Sequence, residues 1–143
     1  MQFAGVNYLA ILAAAVAAWI FGAVYYGALA NAWVAALGRT MEDFKAEQAA
    51  KTGRFSAQIP FILSFFAELL MAWVLAGVIG HLGAVTLRNG VVSAIFIWAG
   101  FVLTTMTTNN AYTGRKPMLT VIDAAHWLGA MVIMGAVISV MGV

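Results

Sequence analysis

The sequence predicts an all-α fold: a polytopic membrane protein built as a bundle of four transmembrane helices. Three observations predict it. Hydrophobic residues make up 64% of the 143 and charged residues 8%, whereas a soluble domain carries roughly a quarter charged residues. Such a chain cannot cover a water-facing surface and must be solvated by lipid. Four apolar runs are each long enough to cross a hydrocarbon core, which takes about 20 residues. Small residues also recur at four-residue spacing within the runs, as close packing of membrane helices requires.

The first apolar run extends from Val6 to Leu37. It reads as a span from Gly5 to Ala28, followed by an interfacial turn or bend that carries Trp33. Ala28-Leu29-Ala30 has the look of a signal-peptidase site. No basic residue precedes the run, however, and its apolar part is too long, so the segment is expected to be retained. The stretch 39–58 is the one hydrophilic connector and is read as solvated. Thr40 with Asp43 has the form of a capping box, which offers a short surface helix to about Lys51, closed by Gly53. Met41 and Phe44 would dip into the interface. The second span covers 59–82, with Pro60 tolerated in its first turn. The third covers 90–109, and the fourth covers 118–141 after Pro117. Residues 83–89 and 110–117 are short connectors, so consecutive spans should be antiparallel neighbours. The whole is one transmembrane domain, without internal repeats.

Six of the seven Lys and Arg residues lie in two connectors: Arg39, Lys45, Lys51 and Arg54 in the first, Arg115 and Lys116 in the third. The second connector has only Arg88. The positive-inside rule then places 39–58 and 110–117 in the cytoplasm of a multi-pass cell-membrane protein, with both termini outside. Four rows of small residues suit helix contacts: Ala10, Ala14, Ala18 and Gly22; Ala72, Ala76 and Gly80 beyond Glu68; Gly100, Thr104 and Thr108; Ala125 and Gly129. Their number invites homo-oligomerisation as well as packing within one chain. Trp19, Trp73, Trp98 and Trp127 lie inside spans, where bulky packing around small residues is the simpler reading and a wall for an apolar ligand the other.

Polar groups concentrate in the half of each span near the first and third connectors. Asp123 and His126 stand three residues apart, on one face of the fourth span. Glu68 lies nine residues past Ile59, roughly 13 Å from that span's start. The third span brings Thr104, Thr108 and Asn109, and the first brings Tyr25 and Tyr26. Ionisable groups within a membrane need partners, so Glu68 and Asp123 are expected to meet at a shared site. Three chemistries suit it: hydrogen-bonded glue; a relay or binding site for protons or small cations; or a metal site with Glu68, Asp123 and His126 as weak ligand candidates. A di-metal four-helix site wants two Glu-x-x-His pairs and two further carboxylates, which this chain lacks. No cysteine is present, so disulfides and thiolate chemistry are excluded. The modest net charge of +2 gives no argument for nucleic acid. Neither a phosphate-binding glycine loop nor a dinucleotide fingerprint occurs, and no compelling catalytic triad or cofactor site can be assembled.

Taken in order, several motifs resemble a known family. Asn7-Tyr8-Leu9, Phe21 to Gly27 and Trp33 are similar to the opening of the small membrane proteins grouped as domain of unknown function family 1761. Thr104–Asn109 is similar to that family's third helix. Arg115-Lys116-Pro117 through Ile122–Leu128 to Met134-Gly135-Ala136 resembles its last helix, where the family often has glycine at the place of Ala125. The resemblance covers most of the chain outside the first connector. It implies a four-helix membrane protein and supplies no reaction. The expectation is therefore a non-enzymatic, channel- or transporter-like protein with a buried carboxylate–histidine site. The competing expectation is a structural or accessory protein that assembles with itself or a larger complex.

Overall fold

The computed structural model describes residues 6–53 and 55–143. Gly5, the expected start of the first span, and Arg54, counted among the connector cations, lie outside the described residues. Four helices are long and apolar enough to cross a membrane: Tyr8–Ala28, Ile59–His81, Leu87–Tyr112 and Pro117–Met141. No strand occurs among the described residues.

Helix α1 (Tyr8–Ala28) is capped by Asn7, whose side chain accepts from the Ala10 amide. The same side chain donates to the Met141 carbonyl at 3.0 Å, tying the two chain ends together. At Leu29 the backbone leaves helical geometry, and the short helix α2 (Ala30–Ala36) turns onto the last span. Helix α3 (Met41–Lys51) is the anticipated surface helix. Thr40 accepts from the Asp43 amide, as the capping box requires. The chain then turns through Gly53, which has φ +79°. Lys51 and Arg39 both pair with Glu47. Together they hold its exposed carboxyl down at about 2. Helix α4 (Ile59–His81) starts with Pro60 in its first turn, where no amide donor is needed.

The third span is longer than expected, running from Leu87 to Tyr112 instead of 90–109. It starts early because the Thr86 side chain caps the Asn89 amide. It ends late because its threonines return their hydroxyls to the helix's own carbonyls: Thr104 to Gly100 and Thr107 to Leu103, both at 2.7 Å. These bonds let a polar sequence continue as helix. A π-helical segment, Trp98–Leu103, divides the span into α5 (Leu87–Ile97) and α6 (Thr104–Tyr112).

Helix α7 (Pro117–Met141) is central, packing against α1, α5, α4 and α2. Buried Ala10, Ala14, Ala18 and Gly22 form the inner stripe of α1, and Ala72 and Ala76 lie on the inner face of α4. The closest approach is between α5 and α7. A Cβ on Gly90 would stand 2.4 Å from the Gly135 carbonyl oxygen, and one on Gly135 would stand 2.5 Å from that of Gly90. No side chain fits between these backbones. We expect Gly135→Ala to force the helices apart and to cost about 1–3 kcal/mol, as overpacking does. The check is detergent unfolding against Gly100→Ala, where a Cβ meets nothing within 4 Å and little change is expected.

Candidate functional site

Asp123 lies six residues into α7, at the end of the bundle that carries the first and third connectors. Its Oδ1 accepts the Tyr26 hydroxyl at 2.8 Å and the Trp33 indole N–H at 3.1 Å. One donor comes from α1 and the other from α2, so the carboxylate fastens the bend between them to α7. Beside it, Tyr25 donates to the Ile122 carbonyl at 2.9 Å. Lys116 reaches back to the Ala35 carbonyl at 2.9 Å. Ala36, Leu119 and Ile122 fill the apolar space beneath α2. Trp33 thus does more than mark the interface. The signal available in the sequence is an aromatic donor seven residues beyond Tyr26, past a bend that brings it back.

One turn deeper, His126 is 4% exposed and enclosed by rings. Phe21 stacks on it with centroids 5.9 Å apart, Tyr26 lies at 4.8 Å, and Tyr25 and Trp127 complete the enclosure. Gly22 makes room: a Cβ there would come within 2.8 Å of Nε2. Neither ring nitrogen has a hydrogen-bond partner among the described residues. One nitrogen of a neutral imidazole donates and the other accepts, so both capacities remain unused.

Glu68 is 2% exposed, and its Oε2 also lacks a hydrogen-bond partner among the described residues. It does not join Asp123, contrary to expectation. Trp19 on α1 donates to Ser64 on α4, while Gly22 and Tyr26 face His126 and Asp123 on α7. At the far end Gly80 faces Val143. These contacts set Glu68 opposite the stretch from Met131 to Ile133. It therefore sits ~12–15 Å from the level of Asp123 along the bundle and roughly 7–10 Å from that of His126, at ~1.5 Å per residue. The expected common depth failed because the helices are staggered. Helix α4 begins near the level of Asp123, after α7 has already risen about four residues or more.

The third-span candidates are not at either position. Thr104, Thr108 and Asn109 are exposed on the outward side of α6. Gly100 lies on that side too, so this row of small residues does not pack within the chain. Trp19 and Trp98 serve as interhelical donors, Trp98 to the Ala124 carbonyl at 2.8 Å. Among the described residues no three His, Cys, Asp or Glu side chains converge to hold a metal ion. Glu68, Asp123 and His126 accordingly form no single ligand set: Asp123 is a hydrogen-bonded clasp, and His126 and Glu68 lie deeper at separate levels, without hydrogen-bond partners among the described residues.

Residues 9–139 match the family model described as "Protein of unknown function (DUF1761)". No curated protein and no solved structure matches the chain.

The clasp has a direct test. Tyr26→Phe and Trp33→Phe each remove one donor from Asp123 and should each lower stability by ~1–2 kcal/mol. Their combined effect should differ from the sum, because both act on one carboxylate oxygen. Tryptophan fluorescence of detergent-solubilised protein during denaturant unfolding would measure the Tyr26→Phe loss, and circular dichroism the Trp33→Phe loss.

Proposed function

The chain belongs to the DUF1761 family, and from the geometry of its interior we propose a small, non-enzymatic, channel- or transporter-like membrane protein that takes up a proton or small cation at Glu68. The observation that carries this reading is the contrast between the two carboxyl groups. Asp123 is bonded by two donors as structural glue should be. Glu68 is more deeply enclosed and has an oxygen without a hydrogen-bond partner among the described residues. A carboxylate in such surroundings is too costly to keep as a bare charge. It needs a proton or a bound cation, and no Lys or Arg occurs in α4 to serve.

The surroundings give the site a direction. Toward the connector end, the next interior polar group is His126, whose nitrogens are also uncommitted. The Phe21 ring lies between the two levels, stacked on His126 and pressed over Gly129. Toward the terminus end, Leu75, Ile79, Met134 and Ile138 are fully buried and close the bundle. On this reading, exchange at Glu68 runs toward the connector end, past the Phe21 ring and His126. By the loop charges that end is cytoplasmic, and release on the other side would require the apolar half to open. Asp123, Tyr25 and Tyr26 frame the entrance as structural groups.

A second reading, assembly with further copies or a larger complex, draws on the outward placement of Gly100, Thr104, Thr108 and Asn109. Small and hydroxyl residues on a membrane helix surface permit close approach of another helix.

Reconstitution separates these readings. In proteoliposomes carrying a pH-sensitive dye, wild-type protein should carry protons or a small cation down an imposed gradient. Glu68→Gln should reduce the rate at least tenfold without changing the melting temperature. Asp123→Asn should mainly lower stability. Flux in Glu68→Gln equal to wild type would refute the transport reading. Loss of oligomer on Thr104→Leu and Thr108→Leu substitution would favour assembly.

A further inference from the structure

Between α6 and α7, at the connector end, lies an open groove of about 340 Å³ that neither polar position uses. Its lining includes Leu103, Thr107, Asn110, Arg115, Thr120 and Val121. Arg115 stands in the connector between Tyr112 and Pro117, where the chain leaves one span and enters the next. This is headgroup level. Leu103 lies nine residues before Tyr112, hence ~14 Å deeper along the helix. The groove therefore has a cationic mouth at the membrane surface and an apolar floor running toward the bilayer centre.

The donors at the mouth are uncommitted. The Arg115 guanidinium makes no ion pair or side-chain hydrogen bond among the described residues. Asn110 gives one amide hydrogen to Thr120 Oγ1 at 2.9 Å. Its second amide hydrogen and the Thr120 hydroxyl hydrogen remain available. Thr107 is only wall, because its hydroxyl is given to the Leu103 carbonyl. No Asp or Glu lines the groove. The adjacent cation, Lys116, is directed away, onto the end of α2.

We propose that this groove binds an anionic phospholipid, its phosphate held by Arg115, Asn110 and Thr120 and one acyl chain lying along Leu103 and Val121. Basic recesses between spans at the membrane surface take acidic headgroups in this way. The combination selects a lipid over a free phosphate, since half of the groove offers contacts only to hydrocarbon.

Native mass spectrometry of the full chain, released from detergent after titration with phosphatidylglycerol or phosphatidylcholine, tests the assignment. Wild-type protein should retain one phosphatidylglycerol in preference to phosphatidylcholine. Arg115→Gln should reduce that retention about tenfold. Leu103→Trp, which fills the apolar floor and leaves the charge intact, should reduce it comparably. Lys45→Gln, which removes an equal charge from α3, should leave it unchanged. Retention in Arg115→Gln equal to wild type would overturn the proposal, as would an equal loss in Lys45→Gln, which would indicate diffuse surface charge. Displacement of the lipid by millimolar glycerol phosphate or inorganic phosphate would also overturn it, in favour of a soluble anion.

Discussion

The close approach of α7 to its neighbours is the constraint from which the other features derive. Lipid gives apolar side chains no reason to prefer a neighbouring helix, so packing and hydrogen bonds must hold the bundle. At Gly90 and Gly135 two backbones touch with no side chain between them. At Gly22 and Gly129 the missing side chains admit the rings of His126 and Phe21. Such contacts have little axial freedom, because a slip of one residue would drive a Cβ into a backbone or a ring. They therefore fix the height of α7 against α1 and α5, and through α1 the height of α4. The depth of every interior polar group depends on that register.

The register divides the polar residues by role. Asp123 meets donors from the end of α1 and from α2, at the level where α4 begins. Asp123 is only half-buried there, and a carboxylate with two good hydrogen bonds is tolerated. Its work is mechanical: it folds the chain after Leu29 back onto α7. Glu68 lies deeper in the stack, and its Oε2 has no hydrogen-bond partner among the described residues. Asp123 is thus held as a clasp, whereas Glu68 is enclosed without one.

The four spans, the capping box at Thr40 and the small-residue stripe of α1 are all legible in the sequence, because each rests on local spacing and composition. The pairing of Asp123 and His126 with Tyr25 and Tyr26 is also accessible, since the groups lie at matching depths near the ends of apolar runs that share one membrane face. The separation of Glu68 from Asp123 is not. Counting residues from each span's own start assumes that all spans start at one height. Here the start of α7 reaches beyond that of α4, and only contacts between helices reveal the offset. The bend that carries Trp33 is legible from the length of the first apolar run, but the partner its indole meets is not, because that depends on how α2 packs against α7.

The third span shows how a local irregularity redirects a face. Gly90 and Ala94 are buried against α7. Eighteen residues make about five turns of an ideal helix, so an unbroken one would present Thr108 on the same face as Gly90. The π-helical segment from Trp98 to Leu103 breaks that phase. Each hydrogen bond there spans an extra residue, and the helix beyond it is rotated by roughly 100° relative to an unbroken α-helix. Thr104 and Thr108 are carried off the α7 face, while Met106 and Asn110 become partly covered. The rotation brings Asn110 onto Thr120, and so forms one wall of the groove beneath Arg115. A polar run read as a contribution to the interior is thereby turned outward, where the hydroxyls of Thr104 and Thr107 satisfy the helix's own carbonyls. Among the described residues, α5 adds only the hydroxyl of Ser93 to the buried polar residues, and the Ser139 hydroxyl on α7 is a further buried group without a hydrogen-bond partner, beside Glu68 and His126.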